Sequence, residues 1–185
     1  MNKTNLETIL LSDNIVDEIN NNLSTLLELI PEIKPMINFP QSHPHHHLDV
    51  WNHTLLALSK SKKDLTIRLS LLLHDIGKPH SYQDEEVRHF KNHANVSSII
   101  AADILTRLEY PEDYITTICL LIKYHDTKIT EEQITSNRDF YSILYQIQYC
   151  DALAHHPDKL EKRIAYLNSI NELLEQKKLQ KEKKD

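Results

Sequence analysis

The chain has almost no glycine. One glycine in 185 residues, Gly77, excludes the glycine-rich loops that cradle phosphate in P-loop and dinucleotide-binding folds, which need several positions where backbone approaches the ligand without a Cβ. It also argues against β-hairpin architecture, whose tight turns draw on glycine. Cysteine is nearly as scarce. Cys119 and Cys150 are the only two and lack the short spacing of a metal-binding pair, so they read as reduced core thiols of an intracellular protein. There is no Gly-x-Ser-x-Gly elbow and no nucleophilic cysteine context, which leaves covalent acyl-type catalysis without support. Long apolar runs are missing as well. No stretch approaches the roughly 18–20 residues of a membrane span, and the start, Met1-Asn2-Lys3-Thr4-Asn5, is too polar for a signal peptide. Nor is there an excess of positive charge: the net charge is −6, so no global basic field recruits nucleic acid. A local phosphate site stays open, because a bound metal would add positive charge that this count omits. The expectation is a cytoplasmic, unanchored chain, long enough to bury one hydrophobic core.

What is present is helical periodicity. Residues 5–30 carry Leu6, Ile9, Leu10, Ile15, Ile19, Leu23, Leu26, Leu27 and Ile30, predicting two helical pieces broken near Ser12-Asp13-Asn14. Pro31, Pro35, Pro40 and Pro44 predict an extended connection. A helix opens at Asp49 or Val50 and runs to Ser61. Asp64 caps the next, which ends at Gly77 and Pro79, and an ordinary C-cap accounts for the glycine. Residues 79–90 are polar and irregular. Further helices span His93 to Leu108, start at Pro111, span Asn137 to Ala154, and run from Pro157 into a charged, fraying end. The fold class is therefore all-α and single-domain. Residues 1–40 are expected to form an N-terminal helical segment packing on the core, and residues 171–185 a charged helix end or tail.

Helical phase then exposes a polar set. Val50, His53 and Ala57 step by three and four, and Ile67, Leu71 and His74 by four and three. His93 steps with Val96 and Ile100, His125 with Ile118 and Ile122, and Asp151 with Phe140, Leu144 and Ile147. Each of these groups projects to an apolar helix face. Asp75 follows His74 by one residue, about 100° round the helix, so the two can approach one ion from adjacent directions. A lone histidine on an apolar face is ordinarily a satisfied core residue. Six such groups on five helices are not, because burying each without a partner costs several kcal/mol or forces it neutral. Convergence on one or two divalent cations resolves this, and the imidazole and carboxylate mix suits Mn, Fe, Ni, Co, Mg or Zn without selecting one.

His53, His74-Asp75 and Asp151 follow the H…HD…D pattern of the HD-domain metal-dependent phosphohydrolases. The chain resembles most closely the HD domain of bacterial tRNA nucleotidyltransferases (CCA-adding enzymes). The likeness rests on Asp49-Val50-Trp51-Asn52-His53-Thr54-Leu55-Leu56, on Leu72-Leu73-His74-Asp75-Ile76-Gly77-Lys78-Pro79, on Phe90 three before His93, and on Asp151-Ala152-Leu153-Ala154-His155-His156-Pro157. Leu48 stands where that family often has glycine. No nucleotidyltransferase portion is present in this sequence. The resemblance covers roughly residues 41–170 and implies an HD domain over them, a helical bundle in which His53, His74, Asp75 and Asp151 ligate a first metal. By similarity to dinuclear members, His93 and His125 hold a second, with Asp75 bridging.

The chemistry so implied is hydrolysis of nucleotides or related small phosphoesters by metal-activated water, with Asp75 and Lys78 as catalytic residues. His45, Lys78, Arg88 and Lys91 are the candidates for substrate phosphate, each set against a solvated surface residue; His46 and His47 share the loop with His45. His155 and His156 read as surface residues at a helix break. Asp126 forms a second His-Asp doublet with His125 but lies too near a helix end to be assigned. Two alternatives stay open. One is a di-iron oxygenase of the same superfamily, and the other is a non-catalytic module that binds a nucleotide or RNA.

Overall fold

Local capping explains where the helices begin. Asp49 accepts from the Asn52 amide, Asp64 from Ile67, Asn137 from Phe140 and Thr130 from Gln133, each satisfying an amide that the first helical turn leaves without a partner. The computed structural model describes residues 2–42, 47–83 and 89–182. Within them the helices are α1 (Lys3–Leu10), α2 (Ile15–Asn21), α3 (Leu23–Leu29), α4 (Val50–Ser59), α5 (Leu65–Leu73), α6 (His93–Arg107), α7 (Glu112–Tyr124), α8 (Glu131–Ser136), α9 (Arg138–Leu153) and α10 (Glu161–Glu182). Short 3-10 turns occupy Pro31–Met36, Lys78–His80 and Pro157–Lys159. The β structure among the described residues is an isolated bridge, Gln83 to His89. The fold is all-α.

The helix α5 is the axis of the molecule. Ile67 through Leu73 are all buried, the mark of a helix enclosed on every side, and α1, α4, α6, α7 and α9 contact it. Its C-terminal end, where His74 and Asp75 lie, is therefore at the centre of the bundle. The N-terminal helices belong to the same core through Leu6, Leu10, Ile19, Leu26 and Ile30. Buried Arg68 ties them down: its Nη1 donates to the carbonyls of Leu10 at 2.6 Å and Ser12 at 2.7 Å, which are acceptors left open where α1 ends.

Four local expectations need correction. The N-terminal region holds three helices, since Asn22 closes α2 and opens α3 without the turn residues that mark the break at residues 12–14. The proline segment is extended only in part. Pro31 starts a 3-10 helix, where a missing amide hydrogen is tolerated, and Ile33 and Met36 anchor it in the core. The short α8 lies outside the predicted helices. Gly77 is not a left-handed C-cap: its φ is −82°, and α5 has already ended at Leu73. What demands glycine is contact, because a Cβ there would lie 2.5 Å from the Ser97 amide nitrogen and 2.7 Å from the His93 carbonyl.

Candidate metal centre

Four of the six predicted ligands stand at helix ends. His74 caps the C-terminus of α5, with Asp75 one residue beyond, and His125 caps that of α7, while His93 is the first residue of α6. Only His53 in α4 and Asp151 in α9 lie inside a helix. The ends of α5 and α7 bring the negative poles of two helix dipoles to one point, which favours a cation there. His53, His74, Asp75, His125 and Asp151 are buried, and the His93 side chain is 12% exposed.

The four rings share one hydrogen-bond scheme. Nδ1 faces a backbone carbonyl in each: Ala154 for His53 at 3.2 Å, Leu71 for His74 at 2.6 Å, Phe90 for His93 at 2.9 Å, and Ile122 for His125 at 2.6 Å. A carbonyl only accepts, so Nδ1 carries the proton, and Nε2 is the atom that can give a lone pair to a metal. All four Nε2 atoms point at the two central carboxylates. His53 Nε2 lies 3.6 Å and His74 Nε2 3.3 Å from Asp75 Oδ2, with Asp151 Oδ1 at 2.9 and 3.6 Å respectively. On the other oxygen, Asp75 Oδ1, His93 Nε2 lies at 3.3 Å and His125 Nε2 at 3.8 Å. The donors thus divide into two groups that meet at Asp75.

An HD domain family model matches residues 45–168, well over half of the chain. The protein belongs to the HD domain family. Among curated relatives, it is similar to a CC-adding tRNA nucleotidyltransferase of Thermus thermophilus, 32% identical over 119 residues covering 60% of this chain and 27% of the relative. An A-adding tRNA nucleotidyltransferase of Deinococcus radiodurans is 32% identical, covering 61% and 28%. A multifunctional CCA protein of Pseudomonas fluorescens is 34% identical, covering 52% and 24%. The matched stretch spans about a quarter of the length of these relatives.

HD domains bind divalent metals, and the donors of this one fit such an ion. Both carboxylate oxygens of Asp75 and Nε2 of His74 are buried without a hydrogen-bond partner, an arrangement that is costly unless something else satisfies them. Lys78 Nζ comes within 2.8 Å of Asp75 Oδ2 but not along a hydrogen-bond direction. His93 Nε2 and His125 Nε2 face each other at 3.3 Å, a repulsive meeting of lone pairs unless a proton or cation lies between them. The charges respond accordingly. Burial opposes ionisation of Asp75, yet His74 and Lys78 hold its carboxyl well below the usual range. Burial likewise opposes the His74 imidazolium, but Asp75 and Asp151 outweigh it and raise the pKa to about 10. At His125 burial prevails and the pKa falls.

The structure changes several other assignments. Lys78 is buried, not a surface lysine; Gln41 Oε1 accepts from its Nζ at 2.8 Å, and the Phe90 ring lies 5.4 Å away. Lys91 is exposed. His45 and Arg88 lie outside the described residues, as does His46, while exposed His47 sits edge-on to the ring of His156. His155 is not a surface residue: its ring stacks on that of His53 at 5.5 Å, Asp151 Oδ1 is 3.8 Å away, and burial pushes its pKa down to about 4. Asp126 reaches the centre, with His93 Nε2 at 3.1 Å and His125 Nε2 at 3.4 Å. Arg163 donates to Asp151 Oδ2 at 2.8 Å. The doublet His125-Asp126 was the one signal for Asp126. Nothing local signals Arg163, which is placed by how α10 packs on α9.

Proposed function

We propose that this HD domain is a metal-dependent phosphoric ester hydrolase acting on nucleotides or related small phosphoesters. In this reading His53, His74, Asp75 and Asp151 hold one divalent ion, and Asp75, His93 and His125 a second. The observation that carries it is the division of the donors about Asp75, whose two oxygens face separate histidine pairs. Divalent ions in such a site lower the pKa of water toward neutrality and neutralise charge on phosphoryl oxygens during in-line displacement. The chain's own residues prepare the rest. Four backbone carbonyls fix the rings with Nε2 inward, Arg163 fixes the Asp151 carboxylate, and Gln41 braces the Lys78 ammonium beside Asp75. Lys78 is thus held where it can meet a phosphoryl oxygen. A nucleotide-bearing substrate is carried over from relatives whose names refer to tRNA and nucleotidyl transfer.

Protein loaded with Mn or Fe should contain about two ions per chain, and His93→Ala or His125→Ala about one. The wild type should release product from at least one member of a panel of nucleotides, cyclic nucleotides and generic phosphoesters. No release by verified metal-replete protein would overturn hydrolysis, and a wild-type ratio of one would overturn the second site. Oxygen uptake by a reduced iron form, with no hydrolysis, would move the reaction to oxidative cleavage.

A further inference from the structure

A cavity of about 320 Å³ opens on His125 and Asp126, between the turn that follows α7 and the first turns of α10. Lys128, Lys162 and Arg163 line it, a concentration of positive charge in a chain of net charge −6. Its walls are pinned. Gln148 Nε2 donates to the carbonyls of Tyr124 at 3.2 Å and Thr127 at 2.7 Å, and the Tyr166 hydroxyl accepts from the Ile129 amide at 2.6 Å. Arg163 is held on Asp151, at the metal centre itself. The two lysines are exposed, and among the described residues neither has a carboxylate partner.

Resting on the hydrolase reading above, we propose that this chamber receives a small phosphoester carrying a second anionic group, a bisphosphate, with the reacting phosphoryl at the metal centre and the other at Lys128 and Lys162. Two features favour a compact polyanion over a stacked base or an RNA end. The volume lies near the small end of ligand cavities, about 300–1,000 Å³. Tyr166, the aromatic ring in the wall, has the Lys128 ammonium 5.9 Å from its centroid, so one face is taken by a cation, and its hydroxyl is engaged in the wall.

The test titrates Mn-loaded protein calorimetrically with glucose 6-phosphate and with glucose 1,6-bisphosphate. Wild type should bind the bisphosphate about tenfold more tightly, the contribution expected of two exposed charge contacts. The Lys128→Gln, Lys162→Gln double variant should show a ratio of about one, with Mn content and melting temperature unchanged. Lys128→Arg, Lys162→Arg keeps the charges and should keep the preference. Equal binding by wild type, or a preference that survives in the double glutamine variant, overturns the proposal. A clear preference for the bisphosphate in a protein that hydrolyses nothing on the panel would sustain the chamber and defeat the hydrolase reading.

Discussion

Asp75 has the most connections of any side chain in the centre, facing four imidazoles and one ammonium. Asp75→Ala should therefore abolish hydrolysis and bring metal content to well under half of wild type; activity within a few-fold of wild type would remove Asp75 from the ligand set. The same residues set a pH dependence in metal-free protein. The His74 pKa is raised from 6.5 to about 10, so its contribution to stability is complete below 6.5 and is lost as pH climbs toward 10. Asp75 and Asp151 are held well below 3.8: burial opposes this, and His74 and Lys78 overcome it for Asp75, His155 and His53 for Asp151. Their contribution is present above 3.8 and is lost as pH falls through the depressed values. Burial holds His155 down to about 4 and lowers His125, so their preference for the neutral form costs stability as pH falls below 6.5. Melting temperature of the chelated protein should therefore peak near pH 6.5 and decline toward both about 4 and about 10. A bound ion replaces the His74 proton, so metal-loaded protein should not share the alkaline decline. A flat profile for chelated protein from pH 6.5 to 9.5 would contradict this account. Helical phase made His53 and Asp151 legible because both lie inside helices. It was a poorer guide to His74, Asp75, His93 and His125, which stand where helices begin or end and the turn geometry decides direction.

Among the elements, the step from α5 to α6 shapes the second group of donors. Gly77 lies against the first turn of α6, with its amide donating to Ser97 Oγ at 2.9 Å, and that turn begins at His93. A Cβ at Gly77 would have to displace backbone as well as the Ser97 side chain. Gly77→Ala should cost about 1–3 kcal/mol of stability by overpacking. It should also weaken the His93–His125 site more than the His53–His74–Asp151 site. Metal titration of the variant should show the loss confined to about one ion; unchanged stoichiometry and stability would show that α6 shifts freely. The sequence marks Gly77 as singular but suggests the wrong reason, since a glycine followed by proline reads as a helix end. Close approach of a helix distant in sequence leaves no local trace.

For the whole molecule, a buried cluster of acids and imidazoles that held an ion would couple metal binding to folding. Ligands that keep their charges in the interior are tolerable when an ion compensates them, so removing it should lower the melting temperature. An ion at a hundred times its Kd stabilises the fold by about 2.7 kcal/mol. Calorimetric scans before and after chelation, with metal removal verified by elemental analysis, measure the difference. An unchanged melting temperature would mark the site as structurally idle. The sequence by itself determined the all-α class and most helix boundaries and marked six candidate donors, because period, caps and residue type are properties of neighbours along the chain. Tertiary structure decided the rest. The burial of Lys78, the approach of Asp126 and His155, the Arg163 clamp on Asp151 and the cationic chamber beside His125 arise where segments far apart in sequence meet. That meeting depends on how the helices settle around α5, and helical periodicity carries no information about it.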